Sequence, residues 1–177
     1  MIQNSYIFRK SNRADLNGIM EIINQAKASL KQLGIHQWQD GYPNQDTILH
    51  DIENENSFVL EDNNQIIATI ALVSGDEPTY QKIYGGKWHI EGTYVSIHRI
   101  AVRQNLRQAG VGLTLLKLSE AYLKALNYKV IRVDTHYQNQ AALNLFEKHG
   151  FIRCGVIFLR EEFDVDVARI ALEKAIK

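Results

Sequence analysis

Between Tyr94 and Thr135 the sequence changes period twice, and that switch constrains the fold more than any other feature. Residues 94–102 read as a strand, in which two-residue alternation puts Ser96, His98, Ile100 and Val102 on one face. A turn containing Gly110 and Gly112 follows. Residues 111–126 then repeat at helical spacing, with Leu115, Leu116, Tyr122, Leu123 and Leu126 as the apolar stripe. Residues 129–135 return to a strand. A strand–helix–strand unit of this kind belongs to a sheet covered by helices.

The flanking residues complete the architecture. Residues 6–10 read as a strand, and Ser11 or Asn12 can cap a following helix with Asp15 near its positive end. Leu16, Ile19, Met20, Ile23, Ala26 and Leu30 recur at three- and four-residue steps, and Gly34 ends the run. A loop with Trp38, Tyr42 and Pro43 leads to a short helix over 47–54. Residues 58–61 and 65–73, joined by Asp62-Asn63-Asn64, form a β-hairpin, because Asp and Asn tolerate the turn conformations required. Residues 74–91 are a long loop carrying Tyr80, Tyr84, Gly85, Gly86 and Trp88. A helix over 139–149 is stopped by Gly150, and strands over 151–159 and 168–172 close the chain. The order β-α-α-β-β-β-α-β-α-β-β predicts an α/β (α+β) fold with a mixed sheet and helices on both faces.

Composition sets limits on function. A length of 177 residues fits one domain spanning 1–177. Twenty basic residues balance twenty acidic ones, so nothing favours a nucleic-acid partner. The single cysteine, Cys154, excludes an intrachain disulfide and fits a reducing cytoplasm. Residues 1–10 are polar and lack the apolar core of a leader. No apolar run approaches the roughly 20 residues of a membrane helix, so no membrane partner is expected.

Arg107-Gln108-Ala109-Gly110-Val111-Gly112, between strand and helix, reads as a phosphate cradle. The first N–H groups of a helix have no partner inside it, and the helix dipole makes that end positive. Gly110 and Gly112 carry no Cβ, so a bulky anion can approach the main chain, and Arg107 adds charge at the mouth. A P-loop needs Lys-Ser/Thr after its last glycine, where this chain has Leu113-Thr114. A Rossmann turn needs three spaced glycines, and only two are present. A turn with glycines for tight packing is the bland alternative. The second informative stretch runs from Asn139 to Phe151. In it Asn139 and Phe146, seven residues apart, share one helix face with the small Ala142.

Together these stretches resemble the GNAT superfamily of acetyl-CoA-dependent N-acetyltransferases. The resemblance rests on His98-Arg99-Ile100-Ala101-Val102 running into Arg107-x-x-Gly110-x-Gly112, and on Asn139-x-x-Ala142-x-x-x-Phe146 ending in Gly150-Phe151. The element order matches that fold over nearly the whole chain. The resemblance implies a six- to seven-stranded sheet whose two central parallel strands splay apart. It implies acetyl-CoA as co-substrate, with its pyrophosphate held by Arg107, Gln108, Ala109, Gly110, Val111 and Gly112. Main-chain groups of Ile100, Ala101 and Val102 would pair with pantetheine, and Asn139, Ala142 and Phe146 would lie beside it.

Acetyl transfer to an amine sets three demands. The amine must lose a proton, since alkylamines with a pKa near 10 are mostly charged at pH 7. The oxyanion needs a donor, which the family draws from the main chain at the position of Val102. The leaving thiolate benefits from an acid, commonly a tyrosine where this chain has Phe146. Phe146 cannot donate a proton. Tyr137 is close enough in sequence to substitute, and it also reads as a surface or packing residue. His98 fits as the base, because some family members place a glutamate or histidine on that face and its ordinary pKa near 6.5 suits the task. A buried, hydrogen-bonded histidine is the alternative. Glu91 acting through water is a second candidate base, and His136 reads as structural. Cys154 reads as a small core residue, and the six histidines show no zinc-ligand spacing, so no metal is expected. Trp38, Tyr42, Tyr80, Tyr84 and Trp88 are available to enclose a small-molecule or peptide amine, to join a homodimer, or to cap the core. The rival function is a catalytically weak or silent acyl-CoA-binding regulatory module, with Phe146 marking lost catalysis.

Overall fold

The computed structural model describes residues 6–160 and 167–177; residues 1–5 of the stretch read for a leader lie outside them. Strand β1 (Ile7–Lys10) runs into Asn12, the cap of the two residues considered. Its side chain accepts from the Ala14 N–H, while the Asp15 carboxylate accepts from the Asn12 N–H. This reciprocal cap closes a 3₁₀ turn and launches helix α1 (Leu16–Gln32). Asn44 and Thr47 cap helix α2 (Gln45–Glu53) in the same way, which starts it two residues before the expected Thr47. Strands β2 (Ser57–Asp62) and β3 (Gln65–Ser74) form the hairpin. Asn63 at φ 48° and Asn64 at φ 62° supply the two left-handed residues such a turn needs.

Strand β4 (Tyr94–Val102) has the expected bounds, and helix α3 (Val111–Ala125) follows it. Leu126, expected in the apolar stripe of α3, is half-exposed. The helix ends before it and the chain turns through Asn127 at φ 65°. Strand β5 (Val130–His136), helix α4 (Gln140–Lys148), and strands β6 (Ile152–Phe158) and β7 (Ala168–Ala175) complete the order. The seven strands make one mixed sheet in the order β1-β2-β3-β4-β5-β7-β6, so the last strand lies between β5 and β6. No described helix is long and apolar enough to cross a membrane.

By internal contacts the chain divides into two compact units. The first is the chain up to Leu72 with His98–Leu118; the second is Val73–Ile97 with the chain from Ser119 onward. In the first, Ile19, Ile22, Ile23 and Ala26 bury one stripe of α1 against Ile48 of α2, Val59 of β2 and Ala101 of β4, with Trp38 packed alongside. In the second, β4 pairs in parallel with β5 from Tyr94↔Val130 to Ile97↔Val133, and β7 pairs antiparallel with both β5 and β6. Its core joins Tyr80, Ile157 and Ala171, with Trp88 and Tyr94 packed on them. The long loop is tied to β6 by a bridge in which the Tyr84 and Val156 N–H groups each donate to the other's carbonyl.

Candidate active site

The glycine turn lies in the first unit. Beyond β4 the chain makes a 3₁₀ turn (Gln104–Leu106), then passes through Gln108 at φ 68° and Gly110 at φ 82° before α3 begins. Gly110 caps the helix, because its carbonyl accepts the Thr114 N–H at 3.0 Å. The N–H groups of Val111, Gly112 and Leu113 therefore precede the first bond inside the helix, which is the arrangement that receives anions. Gln108, Ala109 and Gly110 are exposed, and a Cβ on Gly110 would meet nothing. Its left-handed backbone favours glycine.

The turn is docked on α1. Arg103 donates to both oxygens of Glu21, at 2.6 and 3.1 Å, and its Nε donates to the Ile66 carbonyl. The Gln104 N–H donates to Gln25 Oε1 at 2.9 Å. Arg107, expected to add charge at the mouth, donates from Nη1 to Ser29 Oγ at 2.8 Å. Partial burial lowers its pKa from the ordinary arginine value.

Upstream on β4, Ile100 and Val102 are half-buried, while Ala101 belongs to the apolar core, so its ligand contacts would come from the main chain. Arg99 stands at φ 52°, inside a strand. The alternation that put His98 on one face with Ile100 and Val102 cannot be carried across a left-handed residue. Such a conformation costs about 1–3 kcal/mol and persists only where the surroundings over-determine it. Asp51 of α2 supplies those surroundings. Arg99 donates from Nε to Asp51 Oδ2 at 2.5 Å, from Nη2 to Oδ1 at 2.7 Å, and from Nη1 to Tyr42 Oη at 2.6 Å. Burial pushes the Asp51 carboxyl above its usual range, against the opposing pull of Arg99, His98 and His50. His98, the candidate base, thus stands in the field of a buried carboxylate. Neither Asp51 nor Arg99 was singled out from the sequence.

In the second unit, Asn139 caps α4, its Oδ1 accepting the Ala142 N–H at 3.2 Å. Ala142 is half-buried. Phe146 is buried and packs its ring 5.4 Å from that of Phe151. Tyr137 is exposed, with its ring 4.6 Å from the His136 ring. Glu91 is exposed, and His136 is buried and accepts the Gln138 N–H at Nδ1.

The loop aromatics do separate jobs. Tyr42 holds Arg99. Tyr80 is buried and donates to Asp134 at 2.9 Å; burial first, then Asp134, raises its pKa well above the ordinary value. Trp88 donates to the Tyr80 carbonyl and covers the Arg132 guanidinium, whose carbon is 4.4 Å from the ring. Burial, reinforced by Glu173, pushes the Cys154 thiol up to about 12, so it is not an activated nucleophile.

The sequence profile of the Acetyltransferase (GNAT) family matches residues 19–151. The fold is similar to that of a GNAT-family acetyltransferase from Streptococcus agalactiae 2603, with a TM-score of 0.88, 30% identity, and 97% of this chain and 96% of that one covered. A GNAT-family acetyltransferase from Listeria monocytogenes 4b F2365 is similar in fold at 16% identity, with a TM-score of 0.71 and coverage of 96% and 94%. So is the ribosomal-protein-S18-alanine N-acetyltransferase of Escherichia coli, at 16% identity, a TM-score of 0.66 and coverage of 97% and 94%. No curated protein sequence matches the chain.

Proposed function

Because the chain belongs to the GNAT acetyltransferase family, we propose that it transfers an acetyl group from acetyl-CoA directly to a primary amine. The carrying observation is the glycine turn, where Gly110 caps α3 and leaves the N–H groups of Val111, Gly112 and Leu113 ahead of the first helical bond. Those donors suit a pyrophosphate, and acetyl-CoA is the family's usual co-substrate.

In this reading Arg107, Gln108, Ala109, Gly110, Val111 and Gly112 hold the pyrophosphate. Main-chain groups of Ile100, Ala101 and Val102 pair with the pantetheine arm. The Asn139, Ala142 and Phe146 positions are assigned to it by the same family pattern. The amine nitrogen attacks the thioester carbon, a C–N bond forms, and the C–S bond breaks. His98 takes the amine proton, with Asp51 stabilising the imidazolium. The Val102 N–H donates to the oxyanion. The departing sulfur takes a proton from Tyr137 or leaves as thiolate, which a thiol of ordinary pKa near 8.5 permits.

The buried ring of Phe146 favours one second reading, an acyl-CoA-binding module with little turnover. A general acid is worth about 10²–10⁴ in rate, so its loss at that position could leave binding without useful catalysis. Thiol release from acetyl-CoA, measured over a panel of small and peptide amines, separates the two. Turnover on any amine supports transfer. CoA binding with no turnover on any of them selects the second reading. Replacing Gly112 by Val should weaken CoA in either case, and unchanged affinity would remove the cradle.

A further inference from the structure

Local histidine spacing carries no zinc pattern, yet three ligand-type side chains converge within the second unit. His89 comes from the long loop, Cys154 from β6 and Glu173 from β7. Their donor atoms all lie within 4.8 Å of one another. Cys154 Sγ is 3.5 Å from His89 Nδ1, and His89 Nδ1 is 3.2 Å from Glu173 Oε1. Around a tetrahedral zinc with ordinary bond lengths, sulfur and nitrogen ligands stand about 3.5 Å apart, and nitrogen and oxygen ligands about 3.3 Å apart. The observed edges match that figure.

The backbone builds this convergence. The register of β6 against β7 shifts between Arg153 and Gly155, so Cys154 is the extra residue of a bulge, a device that re-aims a side chain. The loop reaches β6 through the Tyr84–Val156 bridge. At Gly86 any Cβ would fall 1.9 Å from the Cys154 carbonyl oxygen, so only glycine permits this approach. The His89 N–H then donates to Glu173 Oε1 at 2.5 Å.

Glu173 is fully buried; its Oε1 is the oxygen that meets His89, and its Oε2 pairs with the Arg132 Nε at 3.6 Å. His89, by contrast, is 43% exposed at its side chain. It lines a cavity of about 400 Å³ together with Gly86, Cys154 and Gly155. Three protein ligands plus an open position toward solvent is the layout of zinc sites that keep an exchangeable fourth ligand.

We propose that His89, Cys154 and Glu173 bind a divalent cation, zinc by preference, with the fourth position facing this cavity. A thiolate with an imidazole selects zinc-class ions over magnesium or calcium, which take oxygen ligands. On binding, the Cys154 sulfur coordinates as thiolate and its proton goes to solvent. Arg132 balances Glu173 when no ion is present; the cation's two charges match the carboxylate and the thiolate when one is. The bound ion would tie the loop to β6 and β7.

The test titrates the full chain, freed of metal by a chelator, with zinc against a chromophoric competitor and with cobalt by absorption. The expected result is one ion per chain, with a thiolate-to-cobalt charge-transfer band in the near ultraviolet. His89→Ala should fold, since that side chain is partly exposed and comes from a loop. It should weaken zinc by at least the roughly 10–100-fold that the loss of a mere outer-shell partner costs. Cys154→Ser should abolish the charge-transfer band; should that variant fail to fold, the wild-type spectrum and His89→Ala decide. No stoichiometric ion, no thiolate band, or equal zinc affinity in His89→Ala would each overturn the site.

Discussion

The first unit holds two arginine–aspartate forks that look alike and behave oppositely. Arg9 grips Asp15 through two bonds of 2.8 and 2.9 Å, and Arg99 grips Asp51 through two of 2.5 and 2.7 Å. The side chains of the first pair are 32% and 10% exposed, those of the second 10% and 6%. Arg9 also binds Glu61, and Asp15 also accepts the Asn12 N–H. The grip of Arg9 holds the Asp15 carboxyl below its ordinary range, whereas burial pushes Asp51 above its own. Solvent and the supply of donors, rather than the pairing itself, decide the sign. The costlier fork, on a left-handed arginine, is the one beside the candidate base. Strain and buried charge of this kind cluster at functional sites, which is why the fork bears on the proposal for His98.

The largest test breaks each fork on one side. Arg99→Met leaves Asp51 charged and unpaired in the interior and should cost about 3–5 kcal/mol in urea unfolding. Arg9→Met should cost less, about 1–3 kcal/mol, because Asp15 keeps the Asn12 N–H and some water. Equal losses would erase the distinction. Next comes the double change Arg99→Met with Asp51→Leu. Replacing a buried pair by apolar residues is often neutral or stabilising, so stability should recover while acetyl transfer stays slow. A recovered rate would detach this fork from the site.

The pH dependence sharpens the contrast further. The folded pKa of Asp15 is depressed, so its contribution is present above the unfolded value near 3.9 and is lost as pH falls through the folded value. The folded pKa of Asp51 is raised, so its contribution is present below about 3.9 and is lost as pH rises through the folded value. Asp15→Asn should therefore flatten the acid loss of stability and Asp51→Asn should steepen it, as read from unfolding curves taken down through the carboxylate range. The same slope in both variants would contradict the assignment. The smallest effect is Tyr42→Phe, which removes one hydrogen bond to Arg99 and should cost about 0.5–1.5 kcal/mol. A change as large as that from Arg99→Met would make Tyr42, not Asp51, the main support of the strained arginine.

Local signals made most of the fold legible. Asn12 caps a helix through a side chain that bonds within three residues, and Asn63-Asn64 turns a hairpin on its own backbone preference; Asn44 and Asn139, caps of the same local kind, were not read as caps. Strand β4 was readable to the residue. The position of β7 between β5 and β6 was not, because strand neighbours far apart in sequence leave no periodic trace. The glycine turn could be found from Gly110 and Gly112. The Arg99–Asp51 fork joins residues 48 apart, and nothing near either one announces the other. The left-handed φ at Arg99 was equally hidden, since the composition around it reads as regular strand. His89, Cys154 and Glu173 come from three elements, so no local ligand spacing could reveal them.

The docking of the glycine turn on α1 bears on binding entropy. Arg103, Gln104 and Arg107 are each held by a side chain of that helix, so the turn loses its freedom when the chain folds and not when an anion arrives. A phosphate meeting it has little left to immobilise. In the proposed CoA site, affinity for the anion would then be set partly by Glu21, Gln25 and Ser29, on a helix that contributes no part of the glycine turn. Loosening those anchors would weaken the ligand by restoring motion to its cradle, with every phosphate-facing N–H still in the sequence.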